Sequence, residues 1–363
     1  MEPLPKDKEP PTKKPKIEDD ISKTIDSHIK NIKRCKSLKA ILGDDFEKPV
    51  PLIQVYVGHV RNPKDLSKTI LILNEKVPLK GLHHLKRVRK REVLLCPTHY
   101  LNGMSSIQEY LEINVPELKD IFEYFKDLSV PMYAPKVKRQ YNQLLWSCNF
   151  HPNKYYEKLV SDNFFSNEEM KLHTKFMTVA FEVQRWHLKV TDHSAEILLK
   201  TNATVIVDPS TDSVVAASFF NGDHPVQHSA MLAIDNVAKT QQGGAWGTRS
   251  QTTDCALSGV DSELLIYLKE NFPKVKFGAR PYKSKRDVDN EDSDTESPYL
   301  CTGYNIYMLK EPCIMCSMAL VHARAKRIFY CFSNLKAGGL KSRTKLQGVP
   351  SLNHHFEVFS GFL

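Results

Sequence analysis

Apolar and polar positions alternate from Ile53 to Val60, a period of two that predicts a half-buried strand. From Asp65 to Val77 the apolar spacing changes to three and four, which predicts a helix. Leu85 to Cys96 reads as a strand with basic residues interspersed, and Ser105 to Ile113 and Glu117 to Leu128 read as helices. Pro131 and Pro135 then interrupt the pattern and mark a connector. A second register opens after Trp146 to Tyr156, where Asn167 is the expected N-cap, with Glu168 and Glu169 in the first turn of a helix reaching about Trp186. Ala203 to Asp208 and Val214 to Phe220 form a predicted hairpin around Pro209, and a helix follows from about Pro225 to Lys239. Gln241 to Pro298 breaks the regularity and carries the acidic run Asp287 to Glu296, so it reads as a mobile insertion. Strands at Gly303 to Leu309, Arg327 to Phe332 and His355 to Phe359, with a helix at Pro312 to Arg324, complete the chain.

At 363 residues two cores are expected. The pattern divides the chain into a tail, 1–20, a smaller mixed α/β domain, 21–150, and a larger α/β domain, 165–363, interrupted by the insertion 241–298. The tail is rich in Pro, Lys and Glu and poor in aromatics, so burial cannot offset its ordering entropy and it is expected to be disordered. Its Lys13, Lys14 and Lys16 could act as a nuclear import signal, although a solvated tail has the same composition. Eight scattered cysteines and the lack of an apolar leader argue against a secreted disulfide scaffold, and no apolar run is long enough to span a membrane. The net charge of +9 favours an anionic partner such as nucleic acid, but on its own it describes a soluble surface equally well.

The candidate chemistry lies late in the chain. In Pro312-Cys313-Ile314-Met315-Cys316 the proline occupies a helix first turn, where its missing N–H costs nothing, and the two thiols stand at a spacing that can hold one metal ion. A redox dithiol has the same spacing, and a zinc ribbon would need a second pair that is absent. His228 opens another predicted helix and supplies a third ligand. Two reduced core thiols and an interior histidine remain the plain alternative. A histidine followed two residues later by glutamate, then P-C-x-x-C, is the signature of zinc deaminases, in which the glutamate shuttles protons and does not bind the metal. Here that glutamate position holds Ala230.

Tyr299-Leu-Cys-Thr-Gly-Tyr304, the run from Glu311 to Arg324, and Leu352-Asn-His-His-Phe-Glu-Val-Phe359 together resemble the non-catalytic subunit of eukaryotic tRNA wobble adenosine deaminase. The match is strong over about 165–363 and weaker over 21–149. The resemblance implies a cytidine-deaminase-like three-layer α/β/α domain with zinc on His228, Cys313 and Cys316. It also implies a heterodimer in which a glutamate-bearing partner converts adenosine-34 of the tRNA to inosine while this type of subunit helps to bind the tRNA. A family acting on tRNA is compatible with both nucleus and cytoplasm. The 85-residue separation between His228 and Cys313 exceeds that of a compact deaminase because the insertion lies within it.

Hydrolytic deamination needs a carboxylate to carry a proton from the metal-activated water to the base, and alanine cannot do so. General acid–base catalysis contributes roughly a hundredfold to ten-thousandfold, so activity near background is expected. Neither Ser229, Asp235 nor Glu311 stands at the matching position. For RNA, the densest basic cluster is Lys86, Arg87, Arg89, Lys90 and Arg91, which as a strand would present alternate charges on one face. Lys136, Lys138 and Arg139, near Tyr141 and Trp146, form a second patch whose rings could stack on splayed bases. The rival reading is a free-standing zinc-stabilised RNA-binding module without an enzyme partner.

Overall fold

The computed structural model describes residues 15–101, 103–190, 202–246, 255–282 and 298–363. The chain forms two compact units, one made of the residues up to Gly43 together with Ser161–Leu363, the other of Asp44–Val160. The chain opens with helix α1 (Pro15–Ile32) and the short strand β1 (Lys39–Ala40). Both belong to the larger unit, whereas the sequence pattern assigned residues from 21 onward to the smaller domain. The physical reason is the apolar series Ile25, Ile29 and Ile32, which is buried as α1 packs within the larger unit. The first residues of that helix also fall within the segment expected to be a disordered tail; residues 1–14, with Lys13 and Lys14, lie outside the described residues.

In the smaller unit, α2 (Asp44–Glu47) precedes β2 (Leu52–Val60), α3 (Leu66–Lys76), the hairpin β3 (Val88–Arg89) and β4 (Glu92–Pro97), α4 (Ile107–Asn114) and β5 (Phe122–Pro131). Two short helices, α5 (Lys138–Tyr141) and α6 (Lys154–Leu159), complete it. The sheet order is β3-β4-β2-β5 with every neighbouring pair antiparallel. From β2 through β5 the sequence of elements is therefore β-α-β-β-α-β, a ferredoxin-like arrangement. One sheet face packs Val60, Val93, Leu95 and Phe122 against Leu73 of α3, its C-cap residue Val77, and Ile107 and Leu111 of α4. The other packs Val55, Val57, Leu94 and Val130 under Leu79, Leu82, Leu85, Trp146 and Cys148.

Two expectations fail in this unit. The segment expected to be helical from Glu117 to Leu128 instead runs into β5 from Phe122 onward, because Phe122, Phe125 and Leu128 mimic helical spacing while nine residue pairs with β2 fix Phe122–Pro131 as a strand. Leu85 to Cys96 is not one strand: Lys90 takes φ 58° at a turn, so the basic residues do not alternate along a common face.

The larger unit continues with α7 (Asn167–Val190), β6 (Ala203–Asp208), β7 (Ser213–Phe219), α8 (Ser229–Thr240), α9 (Ser262–Asn271), β8 (Lys276–Phe277), β9 (Asn305–Lys310), α10 (Ile314–His322), β10 (Arg327–Phe332) and β11 (Glu357–Ser360). The cap of α7 is Ser166, one residue before the expected Asn167: Glu169 N–H donates to Ser166 Oγ, and Ser166 N–H donates to the Glu169 carboxylate. The strand order is β1-β11-β10-β9-β6-β7-β8. Alternate residues face opposite layers. Ile206, Ile306, Met308, Ile328, Tyr330 and Val358 share a core with Ala233 and Val237 of α8 and Leu320 of α10. Tyr307 and Phe329, stacked at 4.9 Å, instead meet His173 and Phe176 of α7. Helices thus cover both sheet faces, a three-layer α/β/α unit.

The segment 241–298 is not an irregular insertion throughout. Asp261 Oδ1 accepts from the N–H groups of Glu263 and Leu264 and starts α9, which buries Leu264 and Leu268, and β8 adds a parallel edge strand to β7. Gly259 lies so close to the sheet that a Cβ there would stand 2.0 Å from the Val215 carbonyl oxygen. The acidic run from Asp287 to Glu296 lies outside the described residues. Among the described residues, no helix is long and apolar enough to cross a membrane.

Candidate metal centre

The strand order brings two distant helix starts together. In the sheet β9 and β7 flank β6, each antiparallel to it, so β7 and β9 run in the same direction. The segments leaving their C-terminal ends lead into α8 and α10, at the sheet edge where α/β proteins build their sites. His228 is the N-cap of α8 and Cys313 the N-cap of α10, both in extended conformation (ψ 154° and 169°) that turns the side chain out of the helix. His228 Nδ1 stands 3.5 Å from Cys313 Sγ and 3.4 Å from Cys316 Sγ.

These three ligand atoms lie within 4.8 Å of one another. A tetrahedral zinc with ordinary Zn–N and Zn–S bonds sets its nitrogen and sulfur ligands about 3.6 Å apart, so the group fits zinc. Cys313 is held down to about 5, chiefly by the hydrogen bond from the Cys316 thiol and also by His228, against the opposing effect of burial. Cys316 shifts upward because it keeps the proton that Cys313 gives up. In contrast, burial pushes Cys96 and Cys301 up to about 12 and raises Cys148 and Cys331. Cys313 alone among these thiols is shifted downward.

Where a deaminase needs its proton shuttle, Ala230 presents a methyl group that is 1% exposed and packed in the core between sheet and helices. Its neighbours offer no substitute. Ser229 Oγ accepts from Thr204 Oγ1 at 2.9 Å, and Asp235 Oδ1 accepts from the N–H groups of Ala245 and Trp246 while Oδ2 pairs with Lys239 at 3.2 Å. Glu311 is 1% exposed and accepts from the Leu340, Lys341, Ser342 and Asn334 N–H groups and from the Ser342 hydroxyl. Burial would raise its carboxyl, but these donors outweigh it and hold Glu311 below the usual carboxylate range. His224 Nδ1 accepts from Val226 N–H, His322 is exposed, and His354 and His355 face the carbonyl oxygens of Ala325 and Gln347.

The basic residues singled out for RNA divide into two kinds. Arg87 donates to the carbonyl oxygens of Val77, Leu94 and Leu95 and to Asn74 Oδ1, so it ties α3 to the sheet. Arg89 donates to Leu145 O, pairs with Glu92 at 2.8 Å and lies 4.7 Å from the centroid of the Trp146 ring. Lys136 pairs with Asp45 at 3.0 Å, and Arg139 donates to the carbonyl oxygens of Phe46 and Glu47. Lys86, Lys90, Arg91 and Lys138 are exposed. Trp146, expected to offer a stacking ring, is 1% exposed and donates Nε1–H to Lys86 O, whereas Tyr141 is exposed and stacks on Phe150. The sequence reading missed Lys336, Lys341 and Arg343, exposed on the loop beside Cys313. The available signal was the absence of Asp and Glu from 333–356.

The three-layer unit, with a His/Cys/Cys group that could hold a metal ion at two helix starts, defines a cytidine-deaminase-like protein. No protein-family model matches the chain. It is 30% identical over 378 residues to the tRNA-specific adenosine deaminase TAD3 of Arabidopsis thaliana, covering 85% of this chain and 91% of that one. The human probable inactive tRNA-specific adenosine deaminase-like protein 3 is 29% identical, covering 89% and 88%, and the tRNA-specific adenosine deaminase subunit TAD3 of Saccharomyces cerevisiae 26%, covering 82% and 81%. The chain belongs to this TAD3 family of tRNA-specific adenosine deaminase proteins. A solved structure from a study of A-to-I editing by tRNA:A34 deaminases is 18% identical with a TM-score of 0.28, covering 52% of this chain and 98% of that one. A cyanophage S-TIM5 dCMP deaminase is 10% identical with a TM-score of 0.22, covering 53% and 98%.

Proposed function

We propose that this chain is the non-catalytic, zinc-binding and tRNA-binding subunit of a heterodimeric deaminase that converts wobble adenosine to inosine. The carrying observation is an intact ligand triangle, His228, Cys313 and Cys316, beside a buried methyl at Ala230. Zinc at such a site activates water when a carboxylate stands by to move the proton. In this chain the thiols and imidazole hold the ion and tie two helix starts together, which contributes folding free energy irrespective of chemistry. The carboxylate comes from the partner subunit's own site.

The relatives named as probable inactive adenosine deaminase-like proteins support the absence of catalysis, and the yeast relative named as a subunit supports assembly. For the tRNA, the exposed Lys86, Lys90, Arg91 and Lys138 offer phosphate contacts. Nuclear and cytoplasmic pools both suit this role.

The test is inosine formation on a tRNA transcript with adenosine at the first anticodon position, by the purified chain, by a glutamate-bearing deaminase and by the co-purified pair. Activity in the pair alone is expected. Activity of this chain alone would overturn the reading, and a partner equally active without it would favour a free-standing RNA-binding module.

A further inference from the structure

Glu311 lies two residues before Cys313, buried to 1% exposure, with no Lys or Arg paired to it among the described residues. Its Oε1 accepts from Leu340 N–H at 3.1 Å, Lys341 N–H at 2.7 Å and Ser342 N–H at 2.9 Å. Its Oε2 accepts from Asn334 N–H at 2.9 Å and from the Ser342 hydroxyl. Five donors from one loop therefore converge on a single buried anion, as in the backbone nests that hold anions.

The same loop lies against the thiol pair. Cys313 and Gly338 form an antiparallel bridge, and Gly339 N–H donates to Pro312 O at 2.8 Å. A Cβ at Gly338 would stand 2.3 Å from Glu311 Cδ, and one at Gly339 would stand 2.5 Å from Ser317 Oγ and 3.0 Å from Ile314 Cα. Ser317 Oγ–H in turn donates to Cys313 O at 2.9 Å. The backbone of residues 338–339 thus covers the first turn of α10, and the carboxylate two residues upstream of Cys313 holds that cover in place.

We propose that Glu311 is a positioning residue that couples the metal group to the 334–342 loop: it fixes the direction of the Cys313 thiol, and a metal on that thiol in turn orders the loop. The inference rests on the zinc reading of the triangle. It extends that reading by assigning a role to a carboxylate that neither binds the metal nor faces a substrate. Because linkage is reciprocal, releasing the loop weakens the metal, and removing the metal loosens the loop by the same factor. The affected loop exposes Lys336 and Lys341, with the exposed Arg343 next to it, so the coupling bears on a basic rim beside the site.

The experiment measures zinc affinity by chelator competition on the full-length chain and its Glu311→Gln and Ser342→Ala variants, with the unfolding temperature of each metal-free protein. In Glu311→Gln the amide NH2 faces backbone donors, and a loss of about tenfold to a hundredfold in zinc affinity is expected. Ser342→Ala removes one donor, and a loss of a fewfold is expected. With cobalt in place of zinc, the thiolate charge-transfer bands should shift in Glu311→Gln, which a purely structural role would not cause. In the unaltered chain, zinc removal should speed amide exchange at 338–342 more than at α9, a readout that stands if a variant fails to fold. Lower unfolding temperatures with unchanged zinc affinity would overturn the coupling, as would amide exchange at 338–342 indifferent to zinc. An unaltered chain that binds no zinc would overturn the metal reading and the coupling together.

Discussion

At residue 230 a methyl group fills the place of a proton carrier, and its burial makes the loss hard to reverse. Ala230 packs in one cluster with Ala233, Cys316 and Leu320, so a glutamate there must displace neighbours and bury a charge. Ala230→Glu should leave inosine formation by the isolated chain at background and lower the unfolding temperature, as an assay and a melt will show; partner-like turnover by the variant would contradict this. His173 gives a second residue-level prediction. Burial and then the Arg327 charge lower it to about 3, and its Nδ1 lies 2.8 Å from Tyr307 Oη. A histidine kept neutral in the fold contributes stability above its unfolded value of about 6.5 and loses it as pH falls toward 3. Over that window stability should fall by about 1.4 kcal/mol per pH unit on its account, and denaturant melts of His173→Gln should lack that component of the slope.

At the scale of elements, the basic β3-β4 hairpin shows why a run of cations is not a single feature. Arg87 has four acceptors on α3 and neighbouring backbone, whereas Lys90 and Arg91 at the turn are exposed. Arg87→Ala should destabilise the smaller unit by roughly 2–4 kcal/mol because it strands buried carbonyl groups. Lys90→Ala and Arg91→Ala should each stay within about 0.5 kcal/mol of the unaltered chain and, on the proposed tRNA-binding role, flatten the salt dependence of that binding by about one unit of slope. Melting curves and filter-binding titrations over a salt series separate the two classes. Equal losses of stability at all three positions would show that the turn is as built-in as Arg87.

For the whole molecule, the two units have separate cores, and the metal group belongs to only one of them. Unfolding should therefore depart from a single two-state transition. Chelation should lower the transition of the larger unit while leaving that of the Asp44–Val160 unit in place, because a ligand stabilises only the cooperative unit that binds it. Calorimetry with and without chelator reads this directly, and one transition that moves as a whole would indicate a single cooperative molecule.

The sequence by itself determined the elements whose signals are local. Strands β2, β6, β7 and β10 and helix α3 follow from apolar spacing and turn chemistry, and α7 follows from its first-turn charges. The grouping of His228, Cys313 and Cys316 was legible in their motif, although Pro312 precedes the N-cap Cys313 of α10 and does not stand in its first turn. Ala230 stood out because one missing carboxylate in a short motif is legible without coordinates. Tertiary structure decided what depends on partners far along the chain. It paired β5 with β2 against the helical spacing of Phe122, Phe125 and Leu128, and it moved α1 and β1 into the unit of β11. It also removed Arg87 and Trp146 from the candidate RNA surface by hydrogen-bonding them inward. Glu311 illustrates the difference most fully. In sequence it is one acidic residue before a proline, and only the return of residues 334–342 to the same sheet edge gives its carboxylate five donors. Local periodicity encodes what a segment becomes, whereas long-range pairing and burial decide which side chains are left free to act.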